Sequence, residues 1–157
     1  MSTVFHTSDC IVENPRVEFS RKYLDFGEGF YLTPRREQAV NYGERFKKMR
    51  KSPVLNTYRL GELPAECLYK RFEAYDEEWL DYIAQCRKGL PHARYDVVEG
   101  GIANDNVFDT INLYTGGLID KSEALRRLQY QKPNWQICIC SQQVLDSCLH
   151  FVASEKL

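Results

Sequence analysis

At 157 residues, with 43% hydrophobic and 27% charged side chains, the chain is the size of one globular domain that can bury its own core. A net charge of −1 excludes the broad basic field by which dedicated nucleic-acid modules hold phosphates. No apolar run approaches the length of a membrane span and the N-terminus MSTVFHTSDC lacks signal-peptide architecture, so a cytoplasmic protein is expected, with export as an effector left open.

In chain order, Thr3 to Phe5 is a short β-prone entry that leads into His6-Thr7-Ser8, a polar trio that fits either a turn or a strand end. A charged connection around Pro15 follows. The stretch YLDFGEGFYLTPRREQAVNY, Tyr23 to Tyr42, then organises the N-terminal half. Gly27 and Gly29 suit a backbone that takes positive φ or passes close to something bulky. Phe30-Tyr31-Leu32 is β-prone, Thr33 is an N-cap candidate, and Pro34 suits the first helical position. Ala39, Tyr42, Phe46 and Met49 recur at helical spacing as a buried stripe.

Past Pro53, Val54 to Leu60 and Cys67 to Phe72 read as strands. Asp76 caps a helix carrying Trp79, Leu80, Ile83 and Cys86, which Gly89 ends. Tyr95 to Glu99 is a strand expected to stop at Gly100-Gly101, and Ala103-Asn104-Asp105 opens a helix that buries Val107, Phe108, Ile111 and Tyr114. Asp120 with Glu123 resembles a capping box for a further helix. Trp135 to Cys140 is an apolar strand interrupted by Gln136, Ser141 caps a short helix, and Leu149 to Val152 is a terminal strand. Strands and helices are mixed rather than alternating, with no linker or repeat: one α+β domain over residues 1–157.

The six cysteines show no zinc spacing and read as reduced thiols, so no metal is expected. Cys138 and Cys140 are expected to point to opposite faces of their strand.

Three pieces fall in a recognisable order: His-Thr-Ser at His6 to Ser8, Gly-x-Gly-Phe-Tyr-Leu-Thr at Gly27 to Thr33 with Tyr42 in the helix behind it, and Asn-Trp-Gln-Ile-Cys-Ile from Asn134. Together they resemble the ADP-ribosyltransferase superfamily, on the branch with a His-Tyr-Glu signature. The phrases LDFGEGFYLTPRREQAVNY, YDVVEGGIANDNVF and WQICICSQQVL are more closely similar to a bacterial domain-of-unknown-function family placed there. The resemblance covers nearly the whole chain and implies a split β-sheet with flanking helices.

It also implies roles. His6 would hydrogen-bond the nicotinamide-side ribose, the Thr7 backbone would read the carboxamide, and Ser8 would support that pair. Gly29 belongs to the glycine element beside the ligand. Tyr31 would stack on nicotinamide, with Tyr42 as the second aromatic face. Gln136 stands where the signature has its glutamate, and an amide can hold a hydroxyl but brings no negative charge. A replacement carboxylate is therefore sought, first at Asp105, beside Asn104 at the ligand's edge, then at Glu99. By residue type alone, Tyr31 and Tyr42 are more often core aromatics than ligand stacks, Gln136 fits a core amide, and Asn104 and Asp105 are ordinary helix-opening residues.

The function implied is an NAD-dependent mono-ADP-ribosyltransferase with NAD as co-substrate and a macromolecular acceptor, protein rather than nucleic acid. A hydrolytic cousin would look the same. The alternative is a non-catalytic module that keeps the fold and recognises NAD or protein. A cysteine hydrolase would need a Cys–His pair, and the sequence places none.

Overall fold

The computed structural model describes residues 1–103, 105–131 and 134–157. One sheet has the order β1 (Ser2–Ser8), β3 (Val54–Leu60), β7 (Leu149–Lys156), all antiparallel. The other runs β2 (Phe30–Leu32), β6 (Asn134–Ile139), β5 (Val97–Ile102), β4 (Tyr69–Arg71), and its β4–β5 pair is parallel. The sheets are joined by one antiparallel bridge, where Phe5 and Thr33 exchange two backbone hydrogen bonds of 2.9 Å. β1 and β2 part from there.

Strand alternation sends side chains into two cores. Val4, Tyr58, Phe30, Leu32, Ile137 and Ile139 meet between the sheets, closed by Val144 and Leu145 of α5 (Gln142–Cys148). On the other face of the second sheet, Val98 and Cys138 pack under α2 (Glu77–Lys88), α3 (Asp105–Thr115) and α4 (Lys121–Leu128), through Trp79, Ile83, Ile111 and Leu128. α1 (Arg36–Lys48) lies instead on β1 and β3.

Local capping chemistry fixes the helix ends as expected. The Asp76 carboxylate accepts the Trp79 N–H, Gly89 closes α2 at φ +67°, Asp120 accepts from Glu123 N, and Ser141 accepts from Val144 N. α+β is the observed class, but several local expectations change. His6, Thr7 and Ser8 lie within β1 and form no turn. Thr33 cannot cap α1, because its backbone is engaged with Phe5; its hydroxyl instead accepts the Arg35 N–H at 3.1 Å, and the helix starts at Arg36. α1 rests on its smallest residues, Ala39 and Gly43, so Tyr42 and Met49 point outward at 39% and 58% exposure.

β5 runs through Gly100 and Gly101 rather than stopping there. A Cβ on Gly100 would sit 3.0 Å from Phe72 Cβ, so this glycine permits close packing inside the sheet. Phe108 is half exposed, not buried. Cys138 and Cys140 share a face, with their sulfurs 3.6 Å apart, because residues two apart along an extended chain point the same way. All six cysteines are free thiols.

Candidate functional site

The parting of the two sheets leaves main-chain groups facing a gap. In an extended strand the N–H and C=O of one residue point to one side and those of the next residue to the other. Phe5 spends its pair on Thr33, so Thr7, two residues on, aims its N–H and C=O toward the same side. On β2 the Tyr31 carbonyl aims back toward β1 by the same rule. Continued pairing would set Thr7 against Tyr31, but the ladder ends at the Phe5–Thr33 bridge.

His6 fills part of that gap. Its Nδ1 lies 2.7 Å from the Tyr31 carbonyl and its ring packs on Phe30 at 4.3 Å, tilted 33°. Because a carbonyl only accepts, Nδ1 carries the proton and Nε2 is left as an acceptor. Burial lowers the pKa below 6.5, opposed by the carbonyl bond, so the imidazole is neutral at pH 7.

Tyr31, Thr33, Phe5 and Thr7 share one face of the joined strands, and the β2–β6 register adds Cys138 and then Gln136 to it. Gln136 lies opposite Gly100, half-buried, and its side-chain amide makes no hydrogen bond to the described residues. α1 pins both arms of the split. Thr7 Oγ1 donates to the Ala39 carbonyl at 2.6 Å, while the Gln38 amide accepts the Trp135 N–H at 3.0 Å and donates to the Trp135 carbonyl at 2.9 Å. Gln38 thus continues the edge of β6 where β2 has left it. Tyr42 follows Ala39 by one helical turn, exposed, with Phe46 edge-on and the Arg45 guanidinium 5.1 Å from its ring centre.

The Tyr31 ring is held at its far end. Its hydroxyl donates to the Gly27 carbonyl at 2.5 Å and accepts the Phe26 N–H at 3.1 Å, and burial pushes its pKa up, so it stays protonated. Gly27 takes φ +78° to make this turn. Gly29 is needed for a different reason: a Cβ there would lie 2.4 Å from Cys138 Sγ and 2.9 Å from the Ile139 carbonyl. The bulk it accommodates is strand β6. Ser8 engages Asp9 and Cys10, at 3.5 and 3.6 Å, rather than His6 or Thr7.

A family model described as a protein of unknown function (DUF3990) matches residues 2–151, which takes in both arms of the split and the helices that pin it. The chain belongs to that family. No curated protein and no solved structure matches it.

The carboxylates of this DUF3990 chain divide by face. Glu99 neighbours Gly100 in sequence but points into the space between the sheets, away from Tyr31 and Gln136. There it accepts from the Tyr69 hydroxyl, from Arg71 Nη1 at 2.8 Å and from Trp135 Nε1 at 3.3 Å, which occupies both oxygens. Its role is to hold β4, β5 and β6 together. Asp105 is exposed at the first residue of α3, and Asn104 lies outside the described residues. Sequence reasoning missed Gln38, whose partner is 97 residues away, and the Asp25–Arg87 ion pair behind the glycine turn.

Among the described residues no group of three or more His, Cys, Asp or Glu side chains could hold a metal ion, and no helix is long and apolar enough to cross a membrane. A cavity of about 330 Å³ lined by Asp81, Gln85, Lys88, Leu90 and Tyr114 lies on the α2–α3 flank and includes no residue of the split.

Proposed function

We propose that this protein is an NAD-dependent mono-ADP-ribosyltransferase on an ADP-ribosyltransferase-like split sheet, acting on a macromolecular acceptor. The observation that carries the reading is the free strand edge at Thr7 beside Tyr31. A carboxamide offers one acceptor and two donors, so it can add to a strand edge much as another backbone amide would. The nicotinamide carboxamide takes the Thr7 N–H and C=O, its ring lies on Tyr31, and Tyr42 on α1 supplies the second aromatic wall. His6, whose ring lies with Phe30 on the opposite strand face from the Tyr31 ring, acts through its bond to the Tyr31 carbonyl, which holds the two strand edges in place for the ligand. Gln136, on the Tyr31 face and without a side-chain partner among the described residues, holds the other sugar hydroxyl.

In the reaction the bond between the nicotinamide nitrogen and the ribose anomeric carbon breaks, and its electron pair leaves with nicotinamide. The acceptor's nucleophile donates a pair to that carbon and loses its proton. The oxocarbenium-like centre between these events is stabilised by negative charge, which an amide cannot supply. We assign that role to the Asp105 carboxylate, because β5 ends at Ile102, whose register partner Asn134 is two residues from Gln136. Without a glutamate at position 136, transfer of one ADP-ribose is favoured over elongation. The net charge of −1 favours a protein acceptor over a nucleic acid.

The neutral amide at Gln136 also favours a second reading, in which the split binds NAD or a protein segment and performs no chemistry. Free nicotinamide measured after incubating NAD with the protein and cell lysate separates the two. Release that disappears in His6→Ala and Tyr31→Ala supports the transferase; NAD binding without release supports the module.

A further inference from the structure

We infer that Asp25 and Arg87 form a clamp that sets the position of the Tyr31 ring, and so act as positioning residues for the nicotinamide. The ligand in this inference rests on the function proposed above; the clamp geometry does not.

Tyr31 has its backbone fixed by β6 and its ring packed beside Cys138, while the hydroxyl at the far end of the ring is held by main-chain groups of the glycine turn, at Gly27 and Phe26. A turn of this kind is a mobile support unless something anchors it. Asp25, the residue before Phe26, provides the anchor. One carboxylate oxygen takes both Arg87 Nε, at 2.8 Å, and Arg87 Nη2, at 2.7 Å. The other accepts the Ala103 N–H at 3.3 Å, where the chain leaves β5 for α3. A single carboxylate therefore ties the turn to α2 and to the β5–α3 junction, the segment that also carries Asp105.

The two side chains are only 14% and 18% exposed, so the pair is shielded from the solvent screening that makes surface ion pairs weak. Arg87 is further held by the Phe108 ring, 4.2 Å from its guanidinium carbon. Its planar head thus has a fixed orientation, and Arg87→Lys would not reproduce a contact made through two nitrogens. Asp25 reaches Tyr31 through the turn residues Phe26 and Gly27, so the influence of the pair on a ligand runs through the turn and the tyrosine.

The experiment is a double-mutant cycle with Asp25→Asn and Arg87→Gln, read in two ways on the intact protein. The first is the NMR signal of the Tyr31 ring together with hydrogen exchange at the Phe26 amide, without ligand. The second is the Kd for NAD by calorimetry. A core control, Leu128→Ala in α4, destabilises the same core from a helix that does not carry the clamp. Each clamp variant should move the Tyr31 signal, speed exchange at Phe26 and weaken NAD roughly tenfold, the factor that ~1.4 kcal/mol of lost preorganisation gives. The double variant should be no worse than either single one, and Leu128→Ala should leave the Kd unchanged. The clamp is overturned if the Tyr31 signal and Phe26 exchange stay as in the wild type, if the two substitutions simply add, or if the control weakens NAD equally. Wild-type protein with no NAD affinity would defeat the proposed function instead, while the ligand-free readout would still decide the clamp.

Discussion

The imidazole of His6 donates to the main-chain carbonyl of Tyr31 at 2.7 Å, across the point where the two sheets part. This contact takes the place of a missing ladder rung, and it requires only a proton on Nδ1; it is burial, not the contact, that favours the neutral imidazole. Burial holds the pKa below the ordinary 6.5. The unfolded chain therefore takes up the proton first as pH falls, and the stability contribution of His6, complete above pH 6.5, is lost from there down toward the folded-state pKa. Thermal unfolding between pH 8 and pH 5 should show a falling Tm in the wild type. His6→Asn, which keeps a donor near the Nδ1 position but does not titrate, should flatten that fall. An unchanged pH slope in His6→Asn would show that the group titrates freely in the folded state.

Gly29 tests the packing of the glycine turn against β6. Adding a methyl group there forces contact with both a side chain and a backbone oxygen, so Gly29→Ala should cost about 1–3 kcal/mol by chemical denaturation. Adding Cys138→Ala removes the sulfur at 2.4 Å but leaves the Ile139 carbonyl at 2.9 Å, so it should restore only part of the loss. Complete restoration would place the whole clash on the thiol.

Glu99 and Gln136 are separated by the thickness of one sheet, and their substitutions should separate as cleanly. Glu99→Gln removes the charge that faces Arg71 and weakens three donated hydrogen bonds, so a stability loss of about 1–2 kcal/mol with unchanged NAD affinity is expected. A Glu99→Gln protein of native stability that lost only NAD binding would put that carboxylate in the site after all.

Gln136→Glu supplies a carboxylate on the face shared with Tyr31, where the amide has no partner among the described residues to lose. Nicotinamide release should rise by about tenfold or more, since a single well-placed charge is worth at least ~1.4 kcal/mol to an oxocarbenium-like transition state. Gln136→Ala should lower both affinity and release. If Gln136→Glu abolished release, the amide itself would be required for the chemistry.

What the sequence made legible was local. Asp76, Gly89, Asp120 and Ser141 announce helix ends because a cap and its partner lie within a few residues. Val54 to Leu60 is a strand with the expected bounds because Pro53 and Gly61 punctuate it. Thr33 misled because its hydroxyl chemistry fits a cap, whereas a contact 28 residues back in the chain, with Phe5, claims its backbone. Glu99 was placed by proximity to Gly100-Gly101, but strand parity assigns it to the opposite face. That parity becomes decisive only once the register of β5 on β6 is known. Cys138 and Cys140 required no register, since two-residue spacing in a strand already puts them on one side. The edge at Thr7 was the least accessible feature, because it exists only where two distant strands fail to pair.

The most direct test of the central claim, that the Thr7 strand edge and Tyr31 together read a carboxamide, is calorimetry of NAD against its nicotinic acid analogue. The amide of NAD can donate to the Thr7 carbonyl and accept from its N–H, whereas a carboxylate only accepts and meets that carbonyl with negative charge. NAD should bind at least about tenfold more tightly than the acid analogue, a difference of ~1.4 kcal/mol, and Tyr31→Ala should remove the binding of both. Equal affinity for the two dinucleotides, or no measurable heat with NAD, would contradict the account.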